Sequence, residues 1–371
     1  MPGRIAFLTA PDLTRLVLTT VAVCALPGVA AAQPFYQGKT FSVLVNLSTG
    51  GPTDTEARLL ARHLGKHIAG NPAVVVRNMT GAGGIVAVNW LGQAAPNDGL
   101  TMGFFSSVPS SSASAIPSLK VDITKFGYVG TGSGVSVTYA RRDTGSGLTE
   151  PDDLMTKKEI WVGGLAVDSD KDLRLRLQLE MLGLNVKYVT GYPGAGDIHL
   201  ALQRGEVQMT SESLPSYRSA VEPALVDKRI ALPLWFDNAN EAIVARPHEA
   251  EGIAATNFYD YFRRVKGRTP EGPLWEAFDT MNTLSRGFER LLVMAPNTPK
   301  EALEAVKKAL VDLRNDDEFK RESMAMMKFT PEYDTSAEVE KVFIEKSRPN
   351  PAFIAFFEKY IEAGKTASMK N

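Results

Sequence analysis

Two rhythms of apolar and polar positions alternate along this chain, most clearly between Phe41 and Gly84. Phe41 to Leu47 is an apolar, β-branched run of strand length, stopped by Gly50-Gly51-Pro52. Beyond it Ala57, Leu60, Ala61, Leu64 and Ile68 recur at helical spacing, with Thr53 or Asp54 placed to cap the helix. The plan then repeats. Val74-Val75-Val76 reads as a buried-type strand, Asn78 to Gly84 as a glycine-rich turn and Ile85 to Ala95 as a helix. Strands joined by helical crossovers lie parallel in one sheet, so both turns are expected at its carboxyl edge. Two helix N-termini then stand side by side, and the glycines let an anion approach their N–H groups.

The same alternation continues. Pro96 to Gly99 makes a turn and Leu100 to Phe105 a third strand, followed at the same edge by a serine-rich stretch beginning Ser106-Ser107, both candidate ligand contacts. Tyr128 to Arg141 is strand-like, and Arg141 to Gly147 reads as a linker into a second lobe. There the rhythm restarts. Ile160 to Gly164 is a strand, Asp168 to Leu182 a helix, and Asn185 to Val189 a strand; the turn Gly191 to Asp197, a helix to Arg204 and a strand Val207 to Thr210 follow. Leu232 to Phe236 and Gly287 to Pro296 are further strands, and residues 237–285 between them carry no comparable rhythm. Thr298 is placed to cap a helix running through Arg314, with Pro299 in its first turn. Amphipathic helices are expected over 336–366.

Two segments, Gly50-Gly51-Pro52-Thr53-Asp54-x-x-Ala57-Arg58 and Asn78-x-x-Gly81-Ala82-Gly83-Gly84, in this order and spacing resemble the Bug-type solute receptors of tripartite tricarboxylate transporters. The resemblance implies an α/β, two-lobed periplasmic binding protein of the Venus-flytrap, type II-like kind, with the ligand cleft between the lobes. It implies that the two loops hold a ligand carboxylate through backbone N–H groups and bound water. The candidate ligand contacts in these loops are Ser48, Thr49, Gly50, Gly51, Thr53 and Asp54 in the first and Thr80, Gly81, Ala82, Gly83 and Gly84 in the second. In the second lobe the family's turn commonly reads Val-Pro-Tyr-Lys-Gly; Tyr192 and Gly194 match it, and Pro193 stands where the lysine would be. The strand at Gly287 is implied to return the chain to the first lobe, giving two crossings. Lobe 1 is then 33–141 plus 286–371, and lobe 2 is 142–285. The implied role is that of a monomeric receptor, not an enzyme, with no cofactor or metal. It would deliver a small organic carboxylate to membrane permease subunits.

Composition agrees with two ordinary domains: 371 residues, 44% of them hydrophobic. A net charge of −1 gives no nucleic-acid footprint. Residues 1–32 read as a secretory signal, with Arg4 and Arg15 before the apolar run Leu16 to Leu26 and Ala30-Ala31-Ala32 before Gln33. The single cysteine, Cys24, would leave with that segment, so the body has no disulfide, thiol nucleophile or cysteine ligand. The expected location is the periplasm of a Gram-negative bacterium.

Other chemistry is poorly served. Gly38-Lys39-Thr40 lacks the first glycine of a phosphate-binding loop and precedes its strand. His63 and His67 lie four apart, a zinc-chelating spacing, but no third ligand is marked, and exposed helix histidines are expected. Asp168 and Asp170 are expected as caps at a helix start. Asn46-x-Ser48-x-Gly50 lacks the first glycine of a nucleophile elbow. The alternative function is a secreted α/β enzyme that uses the two glycine-rich loops for a phosphate or an oxyanion. It needs a convergent acid–base pair beside them, and the sequence marks none.

Overall fold

The computed structural model describes Gly3 and residues 33–106, 108–192, 194–239, 250 and 252–368. The expected signal segment, apart from Gly3, lies outside the described residues, as do Ser107 and Pro193. Twelve strands are found among the described residues. They are β1 (Thr40–Val45), β2 (Ala73–Asn78), β3 (Thr101–Phe105), β4 (Gly127–Gly132), β5 (Val135–Arg141), β6 (Ile160–Gly163), β7 (Val186–Val189), β8 (Met209–Ser213), β9 (Ala231–Asn238), β10 (Thr256–Asn257), β11 (Arg290–Met294) and β12 (Tyr333–Asp334). They form two six-stranded sheets, one ordered β12-β4-β11-β3-β1-β2 and the other β10-β9-β5-β8-β6-β7.

In the first sheet β1 pairs parallel with β2 and β3, which are reached through α1 (Pro52–Leu64) and α2 (Ile85–Gln93). The continuous apolar runs have a physical cause: both faces of these strands are covered. Phe41, Val43, Val45 and Phe104 pack with Leu59, Leu60 and Leu64 of α1. Leu44 and Phe105 turn the other way, onto Val88 and Leu91 of α2. Val74-Val75-Val76 is the exception. It is not a buried strand but the sheet edge, with Val75 40% exposed, because among the described residues no further strand pairs beyond β2.

The second sheet is mixed. β6 pairs parallel with β7 and β8, while β5 runs antiparallel between β8 and β9. Its helices are α3 (Val108–Ala113), reaching over from the first sheet's chain, then α4 (Asp170–Met181), α5 (Ala195–Arg204), the short α6 (Leu214–Ser216), α7 (Phe258–Lys266) and α8 (Pro273–Arg286). Ala113, Leu177, Trp235, Phe258, Tyr261 and Phe278 share one core there. Phe258, Tyr261 and Phe262 thus give the stretch after 237 its structural purpose.

Three places depart from expectation. The first crossing is Ser133-Gly134, since β5 already belongs to the second sheet. The segment Arg141 to Gly147 is an ordinary turn within that half, with Thr144 N–H bonding to Arg141 O at 3.3 Å and Gly147 N–H to Thr144 O at 3.0 Å. A two-residue crossing between two apolar strands leaves no change of composition to read. The second crossing runs over 287–289, between α8 and β11.

A third passage follows α9 (Lys300–Leu313), α10 (Asp317–Met327) and α11 (Ala337–Lys346). The last helix, α12 (Pro351–Ser368), packs Phe353 and Phe357 into the second sheet's core, and Tyr360 donates to Glu180 of α4 at 3.0 Å. The chain after 351 is therefore not part of the first half. Its aromatic stripe needs an apolar partner, and α4 supplies one.

Candidate functional site

The first loop enters α1 through Gly51, two or three residues ahead of the Thr53 or Asp54 cap expected from sequence, with Pro52 at the first helical position. No side chain caps this N-terminus, so its first-turn N–H groups are not taken by a capping side chain. Asp54 is 1% exposed and is committed elsewhere. Its Oδ2 accepts from Gly50 N–H at 2.8 Å and from Arg58 Nε at 2.9 Å, and its Oδ1 accepts from Asn78 Nδ2 at 2.9 Å. Arg58 Nη2 donates to Asn78 Oδ1 at 3.1 Å, and Asn78 Nδ2 also reaches Leu47 O at 2.9 Å. Burial opposes ionisation of Asp54, but the Arg58 and Gly50 hydrogen bonds outweigh it and hold the carboxyl below its ordinary value. Asp54 thus braces the loop, and Ser48, Thr49 and Gly50 form its exposed part.

The second loop runs through positive-φ backbone that its glycines adopt freely and Ala82 adopts under strain. Gly81, Ala82, Gly83 and Gly84 have φ of 125°, 48°, 65° and 96° in succession. Gly84 packs so closely on Asn46 that a Cβ would lie 2.4 Å from its Nδ2. Asn46 is fully buried; it donates to Ser106 O and accepts from Ser106 N–H, both at 3.1 Å. One amide thus joins the ends of β1 and β3 to the second loop. From sequence Asn46 stands only in the failed nucleophile-elbow pattern; a lone amide closing an apolar strand was the signal of this role. The N–H supply is narrower than expected. Gly84 N–H bonds to Gly81 O at 2.9 Å, and Val86 N–H reaches the same carbonyl at 3.4 Å. Gly81, Ala82 and Gly83 are the exposed residues, next to exposed Thr80.

At the matching edge of the second sheet Gly194 N-caps α5, while the Tyr192 ring packs with the apolar cluster of Val137, Leu202 and Leu214. Burial, and then the Glu206 charge, push the Tyr192 hydroxyl up. The cation at this edge comes from another element. Lys171, in the first turn of α4, donates to Thr210 Oγ1 at 3.1 Å and lies 3.6 Å from Glu212 Oε1. Glu212 Oε1 is 3.5 Å from His199 Nε2 of α5. Helix α4 is capped by Ser169, not by Asp168 or Asp170. Asp170 instead pairs with Arg174 at 3.3 Å and accepts a close hydrogen bond from Ser285.

Between the halves lies a ladder of buried charge. Arg290 Nε meets Glu56 Oε2 at 2.8 Å, and Tyr333 donates to Glu56 Oε1 at 3.0 Å. Arg286 meets Glu289 at 2.6 Å, and Arg174 meets Asp237 at 3.2 Å. Burial pushes the Glu56 and Asp237 carboxyls up, against the pull of Arg290 and Arg174 respectively.

His63 and His67 are not exposed helix histidines. His63 is 4% exposed with Nε2 at 2.6 Å from Glu322, and His67 lies 2.9 Å from Asp316. His63, Asp316 and Glu318 have metal-like spacing, yet Lys66 Nζ sits among them at 3.2, 2.7 and 2.9 Å. The packing of α10 on α1 created this group, which no spacing in one helix could reveal.

Two sheets joined by short crossings, with glycine loops at one strand edge, define the two-lobed fold of periplasmic solute-binding proteins. The particular likeness is to a TctC solute-binding protein from Polaromonas, at TM-score 0.62 and 16% identity over 88% of this chain and 99% of that one. An R. palustris protein, Rpa4515 with adipate, is similar at TM-score 0.53 and 20% identity, over 87% of this chain and 96% of that one. The fold implied by the resemblance to Bug-type receptors is the fold observed. In sequence the chain is 28% identical over 204 residues to the UPF0065 protein in the TAR-I ttuE-ttuC' intergenic region of Agrobacterium vitis. That match covers 54% of this chain and spans 58% of the relative's length. No family model matches the chain.

Proposed function

We propose that this chain is an extracytoplasmic receptor of the Bug type. It captures a small organic carboxylate in the cleft between its lobes and delivers it to the permease subunits of a tripartite tricarboxylate-type transporter. The reading includes export to the periplasm and action as a monomer. The observation that carries it is the pair of loops. The first leaves an α1 N-terminus without a side-chain cap, and the second presents exposed backbone at Gly81 to Gly83, joined to the first through the end of β1. No lysine or arginine lies within 48–54 or 80–84. Gly50 N–H is taken by Asp54 and Pro52 has none, so the anion is held by the N–H groups of the α1 first turn from Thr53 onward and of Gly81 to Gly83, with the Ser48, Thr49 and Thr53 hydroxyls nearby. Hydrogen bonds to a charged partner contribute about 1.5–3 kcal/mol each, so two or three suffice without a formal cation. The adipate-bound neighbour supports a carboxylate as the ligand class.

An enzymatic use of the same loops gains no support, because Asp54 and Arg58, the ionisable pair beside them, are bonded to each other. A thermal-shift screen of carboxylates on ligand-stripped protein tests the proposal. Stabilisation of about 2.7 kcal/mol is expected at a hundredfold excess over the dissociation constant. A melt that moves with neutral sugars or cations, and with no carboxylate, overturns it.

A further inference from the structure

Three groups meet at the second sheet's strand edge: Lys171, which spends one donor on Thr210 Oγ1, and Glu212 and His199, each with an orphaned buried atom. Glu212 is 5% exposed and His199 9%, and neither Glu212 Oε1 nor His199 Nε2 has a hydrogen-bond partner. They approach each other at 3.5 Å, and Lys171 Nζ approaches the same carboxylate oxygen at 3.6 Å. Buried polar atoms are normally satisfied, and separations of this length leave room for a shared partner. The buried Tyr139 hydroxyl is also without a partner. Burial, and next the Glu212 charge, push it well above its ordinary value, so it remains a donor.

The topology turns this group toward the ligand. Lys171 stands in the first turn of α4, His199 is the fifth residue of α5, and Glu212 is one residue from the end of β8. Strands β6 and β8 run parallel, so all three lie at the carboxyl edge, and Leu214 and Pro215, which follow β8, line one cavity with Glu56 and Arg290 of the first half.

We propose that these residues recognise a hydroxyl of the ligand, so that the bound molecule is a hydroxy-carboxylate. The inference rests on the receptor reading above. A second ligand carboxylate would gain Lys171 but face Glu212 across the same few ångströms. A ligand ammonium would gain Glu212 and face Lys171. A hydroxyl donates once and accepts twice: it gives its proton to Glu212 Oε1 and takes hydrogen bonds from Lys171 Nζ and from a second donor. It does so without adding charge to a pair that already balances. A site built for a hydroxyl rejects the analogue lacking it, because its own buried groups are then left unpaired.

Calorimetry on the purified protein, with matched acids, decides the matter: malate against succinate, glycerate against propionate, gluconate against hexanoate. At least one hydroxy acid is expected to bind about tenfold or more tightly than its partner. Glu212→Gln and Lys171→Met should each shrink that ratio severalfold, because each removes a group that the hydroxyl satisfies and that the deoxy acid leaves unpaired. Lys171 lies at a helix start and is partly exposed, so its variant keeps the test intact should Glu212→Gln fail to fold. Equal affinity within every pair overturns the hydroxyl assignment and leaves carboxylate capture standing. A preference that survives both substitutions overturns the assignment to these residues. Binding of neither member of any pair overturns the receptor reading, and this inference with it.

Discussion

Gly134 donates its backbone N–H to the carbonyl oxygen of Arg286 at 2.7 Å, so the first crossing between the halves is bonded to the second. A Cβ on Gly134 would lie 1.6 Å from Glu289 Oε2 and 2.9 Å from Glu289 Cβ. Glu289 cannot yield easily, because Arg286 and Arg290 both hold its carboxylate. Gly134→Val is expected to destabilise the protein by about 1–3 kcal/mol, as overpacking does, and urea unfolding measures it. Unchanged stability would mean that the crossings are not packed as described.

The two glycines of the second loop should separate when substituted. Gly83 has open space around the position of a Cβ, whereas Gly84 meets Asn46. Gly83→Val is expected to fold, with a strain cost of about 1–3 kcal/mol from its positive φ, and to lose carboxylate binding at least tenfold. Gly84→Val should lose stability as well as binding, since Asn46 must move. Calorimetry paired with thermal melts reads both effects, and carboxylate affinity retained in Gly83→Val would count against backbone capture of the anion.

Asp54 carries a pH signature. Its folded-state carboxyl is held below the ordinary value, so its stabilising contribution is present above about pH 4 and is lost as pH falls through the depressed value. Asp54→Asn should lower the melting temperature at neutral pH and lessen its decline in acid. Arg58→Ala should weaken ligand binding less than Gly83→Val does, because Arg58 acts through Asp54 and Asn78. Elimination of binding by Arg58→Ala alone would assign the anion to a side-chain salt bridge.

Arg290→Met leaves Glu56 buried without its cation. The expected loss is about 3–5 kcal/mol at neutral pH, typical of a broken buried pair. Burial already raises the Glu56 carboxyl, and removing Arg290 raises it further, so protonation on acidification should recover part of the loss. The double variant Glu56→Gln with Arg290→Met should be more stable at neutral pH than Arg290→Met alone. A double-mutant cycle in denaturant, run at neutral and acid pH, checks the coupling.

The first sheet was legible because β1, its turn and α1 each carry a local signature: a two-faced apolar run, Gly50-Gly51-Pro52, and Leu60 and Leu64 at helical spacing. The loops at its edge were legible for the same reason. Other features depend on partners distant in sequence. Val75 reads as buried until its missing neighbour strand is known. Asn46 gains its importance only from Ser106 and Gly84, and Lys171 only from Thr210 and Glu212. Thr298 has capping chemistry, yet its hydroxyl donates to Ala295 O and the helix starts without it. Arg141 to Gly147 reads as a linker between lobes, but strand pairing puts it inside one half.

The destination of α12 bears on how this molecule can be watched at work. Tyr36, near the start of the described chain, is packed into the core of the first sheet, while the final helix rests against the second. The beginning and the end of the folded body are thus carried by different jaws. A donor dye attached ahead of Pro34 and an acceptor beyond Ser368 would turn any change in the separation of the two halves into an optical signal, without a label touching the cleft.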